Sequence, residues 1–258
     1  MEIKKILTAV YDEDLEDGVF RIPEDISKVD SEALRCPGLR KLVIPNTLSH
    51  IPNFAFLDNI EEILVEDGNE CCSSVDGVLF NKDKTALIQF PKKHKATSYC
   101  IPDSVKIIAG HAFYCCQNLT EVILHNNVEI GWYAFWGCTS LVDENGLLII
   151  QNYLWYADPD PHHFRIPDDV VTIGNYAFFE CKNLKEITIP DSVTKIEESA
   201  FSDCENLERI YIPDSVTEFD RRIFEHCDKL TIYCHKGSEA EKYAKENHFP
   251  VAYVEEGK

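Results

Sequence analysis

Ile189-Pro-Asp-Ser-Val-Thr-Lys-Ile-Glu-Glu-Ser-Ala-Phe-Ser-Asp-Cys-Glu-Asn-Leu-Glu-Arg-Ile-Tyr-Ile212-Pro213 is one period of a repeat of 22–23 residues. Ile166 to Ile189 and Ile189 to Ile212 each span 23 positions. A repeat of that length builds a solenoid, a stack of coils in which each contacts mainly its neighbours.

Two markers carry the phase outward from this copy. Ile-Pro pairs stand at Ile22, Ile44, Ile101, Ile166, Ile189 and Ile212, at intervals of 22, 57, 65, 23 and 23 residues. Inside the long gaps the repeat runs on without its proline, at Val65-Glu66 and Leu124-His125. The second marker is Ala33-Leu34, Ala55-Phe56, Ala112-Phe113, Ala134-Phe135, Ala177-Phe178, Ala200-Phe201 and Ile223-Phe224. In the last five copies a Cys follows three residues later (Cys116, Cys138, Cys181, Cys204, Cys227). A Leu follows three beyond that (Leu119, Leu141, Leu184, Leu207, Leu230).

Each spacing has a physical meaning. Leu184-x-x-Ile187-x-Ile189 ends in alternation, which predicts a short strand with Ile187 and Ile189 inward. Leu39/Leu42/Ile44, Ile60/Ile63/Val65, Leu119/Val122/Leu124 and Leu207/Ile210/Ile212 repeat it, so the strands should stack into a parallel sheet. Proline cannot donate to a ladder and ends each strand, and Pro-Asp-Ser turns the chain. Val193-x-x-Ile196 supplies a second short buried segment, and Phe201 enters the core from the opposite wall.

This grammar resembles the BspA-like leucine-rich repeat family of bacteria over Ile22 to Leu230. The expected fold is a leucine-rich repeat solenoid of α/β type, right-handed and elongated. Short parallel strands form one wall, turns and short helical segments the opposite one, and a helix caps the C-terminus. Two copies depart from the pattern. One residue is missing between Leu34 and Cys36, and two between Phe56 and Ile60, where the Cys slot is lost, so these coils should be tighter or irregular.

The chain is expected to be a single repeat domain over 1–258: an N-terminal cap over 1–21, repeats over 22–230 and a C-terminal cap over 231–258. Two insertions enlarge coils. In 67–99, apolar runs flank Asn81-Lys82-Asp83-Lys84, a hairpin pattern; in 143–165, Gln151-Asn152 marks a second hairpin. Ser238-Glu239-Ala240-Glu241 is a capping box opening a helix to about Asn247, and Val251–Val254 reads as a last strand. Ile3, Ile6 and Leu7, the polar Asp12–Asp17 turn and Val19-Phe20 read as a capping hairpin.

The net charge of −20 over 258 residues argues against nucleic acid, whose binding needs clustered Lys and Arg, and keeps a repeat protein soluble. No apolar run of 18 residues predicts a membrane span. The apolar stretch after Lys4-Lys5 is too short for a signal peptide. The expected location is cytoplasmic if the chain is complete, and secreted or at the cell surface if a signal has been removed. Of eleven cysteines, Cys116, Cys138, Cys181, Cys204 and Cys227 occupy one slot and Cys36 nearly does. They are expected to form a reduced, buried ladder, because parallel Cβ vectors suit bridging poorly.

Chemistry-bearing strings are few. Cys115-Cys116 with His111 gives an incomplete zinc set. Cys71-Cys72 lies outside the ladder and is a candidate redox pair. Asp158-Pro-Asp-Pro-His-His163 could ligate a divalent cation, but its prolines splay the backbone and a solvated loop is the better reading. Asp12–Asp17 lacks calcium-loop spacing. No phosphate loop, nucleophile elbow or zincin motif occurs. No cofactor and no catalysis are expected.

The candidate binding residues flank the inward strand positions: Lys41, Val43, Glu62, Leu64, Glu121, Ile123, Glu186, Thr188, Arg209 and Tyr211. Val43, Leu64, Ile123 and Tyr211 would align as an apolar stripe. Tyr153, Trp155 and Tyr156, with Trp132, Tyr133 and Trp136, form a second candidate patch. The expected function is non-catalytic protein binding by a monomer or weak homo-oligomer. The family resemblance implies adhesion or host–microbe contact. The alternative is an architectural spacer or a self-associating part.

Overall fold

The Leu-x-x-Ile-x-Ile element folds as a short parallel strand, and everything else in the coil follows from where that strand ends. The computed structural model describes residues 5–30, 32–50, 57–125, 128–159 and 163–254. The chain divides into two compact units, Met1–Leu141 and Val142–Lys258.

The first unit holds β1 (Lys5–Leu7), β2 (Val19–Arg21), β3 (Ile26–Val29), β4 (Lys41–Ile44), β5 (Glu62–Val65), β6 (Cys72–Val75) and β7 (Val78–Asn81). It continues with β8 (Ala86–Gln89), β9 (Ser98–Cys100), β10 (Ile107–Ile108), β11 (Glu121–Ile123) and β12 (Glu129–Ile130). β2, β4 and β5 form one parallel sheet, with Phe20, Leu42 and Ile63 in register and buried. β9 and β11 form another. A second wall is ordered β12-β10-β8-β7-β6.

Among the described residues the expected N-terminal hairpin is absent. β1 pairs parallel with β3, and β2 pairs parallel with β4, so the two segments lie in different sheets. Asp12 explains the route between them: its Oδ1 accepts from Gly38 N and Cys36 Sγ, both at 3.0 Å, tying the polar turn to the first coil. Ile3 lies outside the described residues, as do Ala55 and Phe56.

The insertion of 67–99 is an antiparallel meander. β7 and β8 form the hairpin read from the sequence, and β6 adds a third strand through Asp76-Gly77, both at positive φ (50° and 79°). β8 then pairs parallel with β10, so the meander feeds the second wall.

The second unit holds β13 (Leu147–Ile150), β14 (Tyr153–Ala157), β15 (Thr172–Ile173), β16 (Glu186–Thr188), β17 (Lys195–Ile196) and β18 (Arg209–Tyr211). After them come β19 (Glu218–Phe219), β20 (Thr231–Cys234), α1 (Glu239–Glu246) and β21 (Val251–Tyr253). β16-β18-β20-β21 is one parallel sheet, and β14-β15-β17-β19 is the second wall, with β13 antiparallel to β14. The β13–β14 turn is Gln151-Asn152, at φ 54° and 63°, as the sequence indicated.

The corner between the walls is the Pro-Asp-Ser-Val turn. Val193 N donates to Pro190 O at 3.0 Å, and Val170 and Val216 repeat the bond to Pro167 and Pro213. The opposite wall is a run of single turns with i→i+3 bonds, such as Ser202 N to Ser199 O at 3.0 Å. Left-handed residues interrupt them: Ser199 (φ 54°) and Asp203 (φ 60°), and at the same offsets His111 and Cys115, Tyr133 and Gly137, Tyr176 and Glu180, Arg222 and His226. Between these turns a third ladder runs coil to coil. Ser199, Phe201 and Asp203 donate to Arg221 O, Ile223 O and Glu225 O at 3.2, 2.9 and 2.8 Å.

The core is a column of rings. Phe113 and Phe135 stack at 5.0 Å in the first unit, Phe178 and Phe201 at 4.7 Å in the second, all buried. Burying each such ring contributes about 1.5–3 kcal/mol. The Cys slot packs beside it: Cys36, Cys116, Cys138, Cys181, Cys204 and Cys227 are buried free thiols. α1 closes the second unit. Ser238 Oγ accepts from Glu241 N at 3.1 Å, and the Glu241 carboxylate accepts from Gly237 N at 2.6 Å.

Candidate protein-binding face

Parallel strands in register convert one outward residue per strand into a row. In the second unit the rows are Glu186–Arg209–Thr231 and Thr188–Tyr211–Tyr233–Ala252. Between them Ile187, Ile210 and Ile232 point inward and are buried. Arg209 Nε donates to Glu186 Oε2 at 2.8 Å across the ladder. The Tyr211 and Tyr233 ring centroids lie 4.7 Å apart. Thr188 and Arg209 are exposed, and Glu186, Tyr211 and Tyr233 half-buried. A groove of about 490 Å³ adjoins the first row, lined by Arg165, Asp168, Glu186 and Thr188.

In the first unit Lys41 and Glu62 pair across β4 and β5 at 3.0 Å. Glu121 accepts from Ser98 Oγ at 2.8 Å, and Leu64 and Ile123 are exposed. Val43 is buried, contrary to the sequence reading. It lies between Arg21 and Leu64 in register, and Arg21 reaches Glu66 in an ion pair that bridges the strands on either side of β4. A valine is shorter than those neighbours, so they cover it. The apolar stripe is therefore not continuous: Val43 is covered, and Leu64 and Ile123 belong to separate sheets. Tyr233, which continues the aromatic row, is not among the sequence candidates, although alternation with the buried Ile232 puts it outward.

The insertion aromatics do not form an open patch. Tyr156 is buried because period-two alternation puts it on the side of Leu154. Tyr153 donates to the Glu197 carboxylate, which also accepts from Asn175 Nδ2 at 2.7 Å, and the Trp155 ring sits 4.1 Å from Tyr153. Burial and the Glu197 charge push the Tyr153 hydroxyl well above the usual phenol range. The Tyr153 ring fills the space over Gly174, where an added Cβ would sit 2.1 Å from it. Of the other three, Tyr133 stacks on His111 and Trp136 on Tyr114, while Trp132 is 70% exposed.

The remaining candidates separate. Cys71 is exposed and Cys72 buried, and burial lifts the Cys72 thiol to about 11, away from thiolate chemistry. Asp160, Pro161 and His162 of the ligand-like string lie outside the described residues. Among the described residues no group of three or more His, Cys, Asp or Glu side chains could hold a metal ion. None of the described helices is long and apolar enough to cross a membrane.

Six copies of the BspA type leucine rich repeat region match residues 18–95, 83–145 and 148–248. The chain belongs to this family. A leucine-rich repeat protein from Eubacterium ventriosum ATCC 27560 is 23% identical, with a TM-score of 0.51 over 83% of this chain and 53% of its own. A leucine rich cell surface protein from Faecalibacterium prausnitzii A2-165 is 28% identical, with a TM-score of 0.50 over 86% of this chain and 54% of its own. The leucine-rich repeat chain thus spans about half the length of these two neighbours. A comparison with curated protein sequences returns no match.

Proposed function

We propose that this leucine-rich repeat chain is a non-catalytic protein-binding module whose partner docks on the outward face of β16, β18 and β20. The observation that carries this is the Thr188–Tyr211–Tyr233 row beside the Glu186–Arg209 pair. Tyrosine and arginine on a rigid scaffold are the side chains that anchor protein interfaces, and a parallel ladder holds them at fixed spacing without further ordering cost. The F. prausnitzii neighbour is a leucine rich cell surface protein, which supports a role in contacts outside the cell, of the adhesion or host–microbe kind.

The test is affinity capture with the purified chain from lysate and from extracellular material, repeated with Glu186→Lys/Tyr211→Ala. A specific protein lost on the double change supports the face. A specific protein retained on it moves the site elsewhere. Concentration-dependent self-association with no heterologous partner replaces this reading with the architectural one.

A further inference from the structure

The coil that precedes β16 follows the repeat in its side chains but not in its ladder. Residues 163–166 stand 23 positions before residues 186–189, with Ile166-Pro167 as the marker pair. Phe164 and Ile166 are buried, at the positions that Ile187 and Ile189 hold in the next coil. Phe164 packs edge-on against Phe178 at 5.2 Å, and Val170 N closes the Pro167 corner at 3.2 Å. The backbone stops short of this. Ile22 N donates to Val43 O at 3.0 Å, and Ile101, Ile189 and Ile212 N donate to Ile123, Tyr211 and Tyr233 O at 2.9 Å. The same rung from Ile166 N to Thr188 O is not made, and among the described residues β16 has a ladder neighbour only in β18.

The groove of about 490 Å³ separates the two segments, with residues 163–166 on one bank and residues 186–188 on the other. Lys185 and Ile189 face β18, as in Arg209 N to Lys185 O at 3.2 Å, so alternation turns the Thr188 backbone toward the groove. By the same alternation Phe164 and Ile166 turn theirs toward β16. Thr188 N–H and C=O thus face Phe164 C=O and Ile166 N–H, donors and acceptors matched in order. Ile166 is 4% exposed, and a buried N–H left unpaired is costly. One bank carries His163 and Arg165 and ends at Asp168, and the other carries Glu186, already bonded to Arg209. Like charge therefore does not hold the banks apart.

We infer that residues 163–166 are a strap poised to close on β16 as the first strand of the face, with Ile166 N–H donating to Thr188 C=O. Closure sets Arg165 beside Thr188 at strand spacing, about 4.8 Å, and extends the row to Arg165–Thr188–Tyr211–Tyr233–Ala252. An arginine then stands in line with the two tyrosines, the side-chain types that anchor interfaces. A partner that touches Arg165 and Tyr211 together binds the closed form better and draws the strap shut. This rests on the face of β16, β18 and β20 being the binding site, to which it adds a means of regulation.

Closure is read on the full chain without a partner. Thr188 is exposed, and with the strap open its N–H exchanges as an unprotected amide. Closure should slow that exchange about tenfold or more. Arg165→Cys/Thr188→Cys, treated with the thiol crosslinker dibromobimane, should gain the fluorescence of a joined pair, assigned among the other thiols by mass mapping. Its rate should approach that of Thr188→Cys/Tyr211→Cys, whose positions are in register on β16 and β18. Arg165→Cys/Tyr211→Cys, two strand spacings apart with the strap closed, should stay unjoined. Thr188 exchange at the unprotected rate would overturn the proposal, as would a 165/188 pair that joins no faster than the 165/211 pair. A chain that closes yet captures no protein on the Tyr211 face keeps the strap and loses the proposed function. A protein captured on that face by a chain that fails both readouts removes the strap alone.

Discussion

Cys204 Sγ donates to the backbone carbonyl of Phe178, 3.0 Å away and one coil earlier. Cys227 and Phe201 repeat the bond at 3.0 Å, and Cys138 and Phe113 at 2.9 Å. The repeat slot thus asks for a side chain that is small, mostly apolar and still a donor, which is a description of a free thiol. Cys204→Ala should lower stability by about 1 kcal/mol, from a lost contact and the loss of one of the two bonds the Phe178 carbonyl accepts, the other coming from Cys181 N at 3.2 Å. Cys204→Ser, which keeps the donor, should cost less. Urea unfolding of the two variants beside the parent decides this.

The same burial makes the fold alkali-sensitive. Cys138 and Cys181 are lifted by burial from 9.0 to about 12, and Cys72 to about 11. A thiol whose folded value is raised contributes full stability below its unfolded value and loses it as pH climbs toward the folded one. Stability should hold to pH 9 and fall from 9 toward 12, at about 1.4 kcal/mol per pH unit for each buried thiol. A pH series of melting temperatures, flat through that window, would contradict it.

In acid the C-terminal cap should loosen first. Lys245, Tyr253 OH and Gly237 N together hold the Glu241 carboxyl down from 4.5 to about 2. A depressed carboxylate stabilises above its unfolded value, and that contribution disappears as pH falls from 4.5 through 2. Amide protection factors in α1, taken relative to the intrinsic exchange rate at each pH, should fall in this window, and Glu241→Gln should remove that pH dependence.

Two glycines separate backbone strain from crowding. Gly137 and Gly237 both sit at positive φ, 74° and 88°. A Cβ on Gly137 would lie 2.6 Å from Cys115 Sγ, whereas Gly237 has nothing within 4 Å. Gly237→Ala should cost about 1–2 kcal/mol, the left-handed penalty alone, and Gly137→Ala more than that. Thermal melts of the pair would show equal losses if the opposite wall, where Gly137 meets Cys115, were not packed this way.

Phe201→Ala should cost about 3–5 kcal/mol, because it leaves a hole in the middle of the ring column. Tyr211→Ala should cost no more than about 1 kcal/mol, the loss of one ring contact with Tyr233 on the face. Denaturant curves giving comparable values for both would mean that the face row is part of the core.

The strands, the Pro-Asp-Ser corners, the Gln151-Asn152 turn and α1 were legible because each rests on local chemistry: period-two alternation, a missing N–H, positive-φ residues, a capping box. The third ladder was not. Its left-handed positions are filled by His111, Tyr133, Tyr176, Ser199 and Arg222, which share no property a sequence displays; only Gly137 gave a signal. Val43 was misplaced because alternation assigns a side but not the length of the neighbours that cover it. Tyr156 could have been placed by counting from Leu154. The candidate face was readable as a set of outward positions, while the Glu186–Arg209 pair and the Tyr211–Tyr233 stack depend on register between coils.

The central claim, that the face of β16, β18 and β20 binds a protein, is tested most directly by oxidative footprinting of the chain with and without the protein it captures. Protection of Tyr211 and Tyr233 several-fold, with Tyr153 and Trp155 unchanged, is the expected result. Unchanged labelling of Tyr211 and Tyr233 at saturating partner would contradict it.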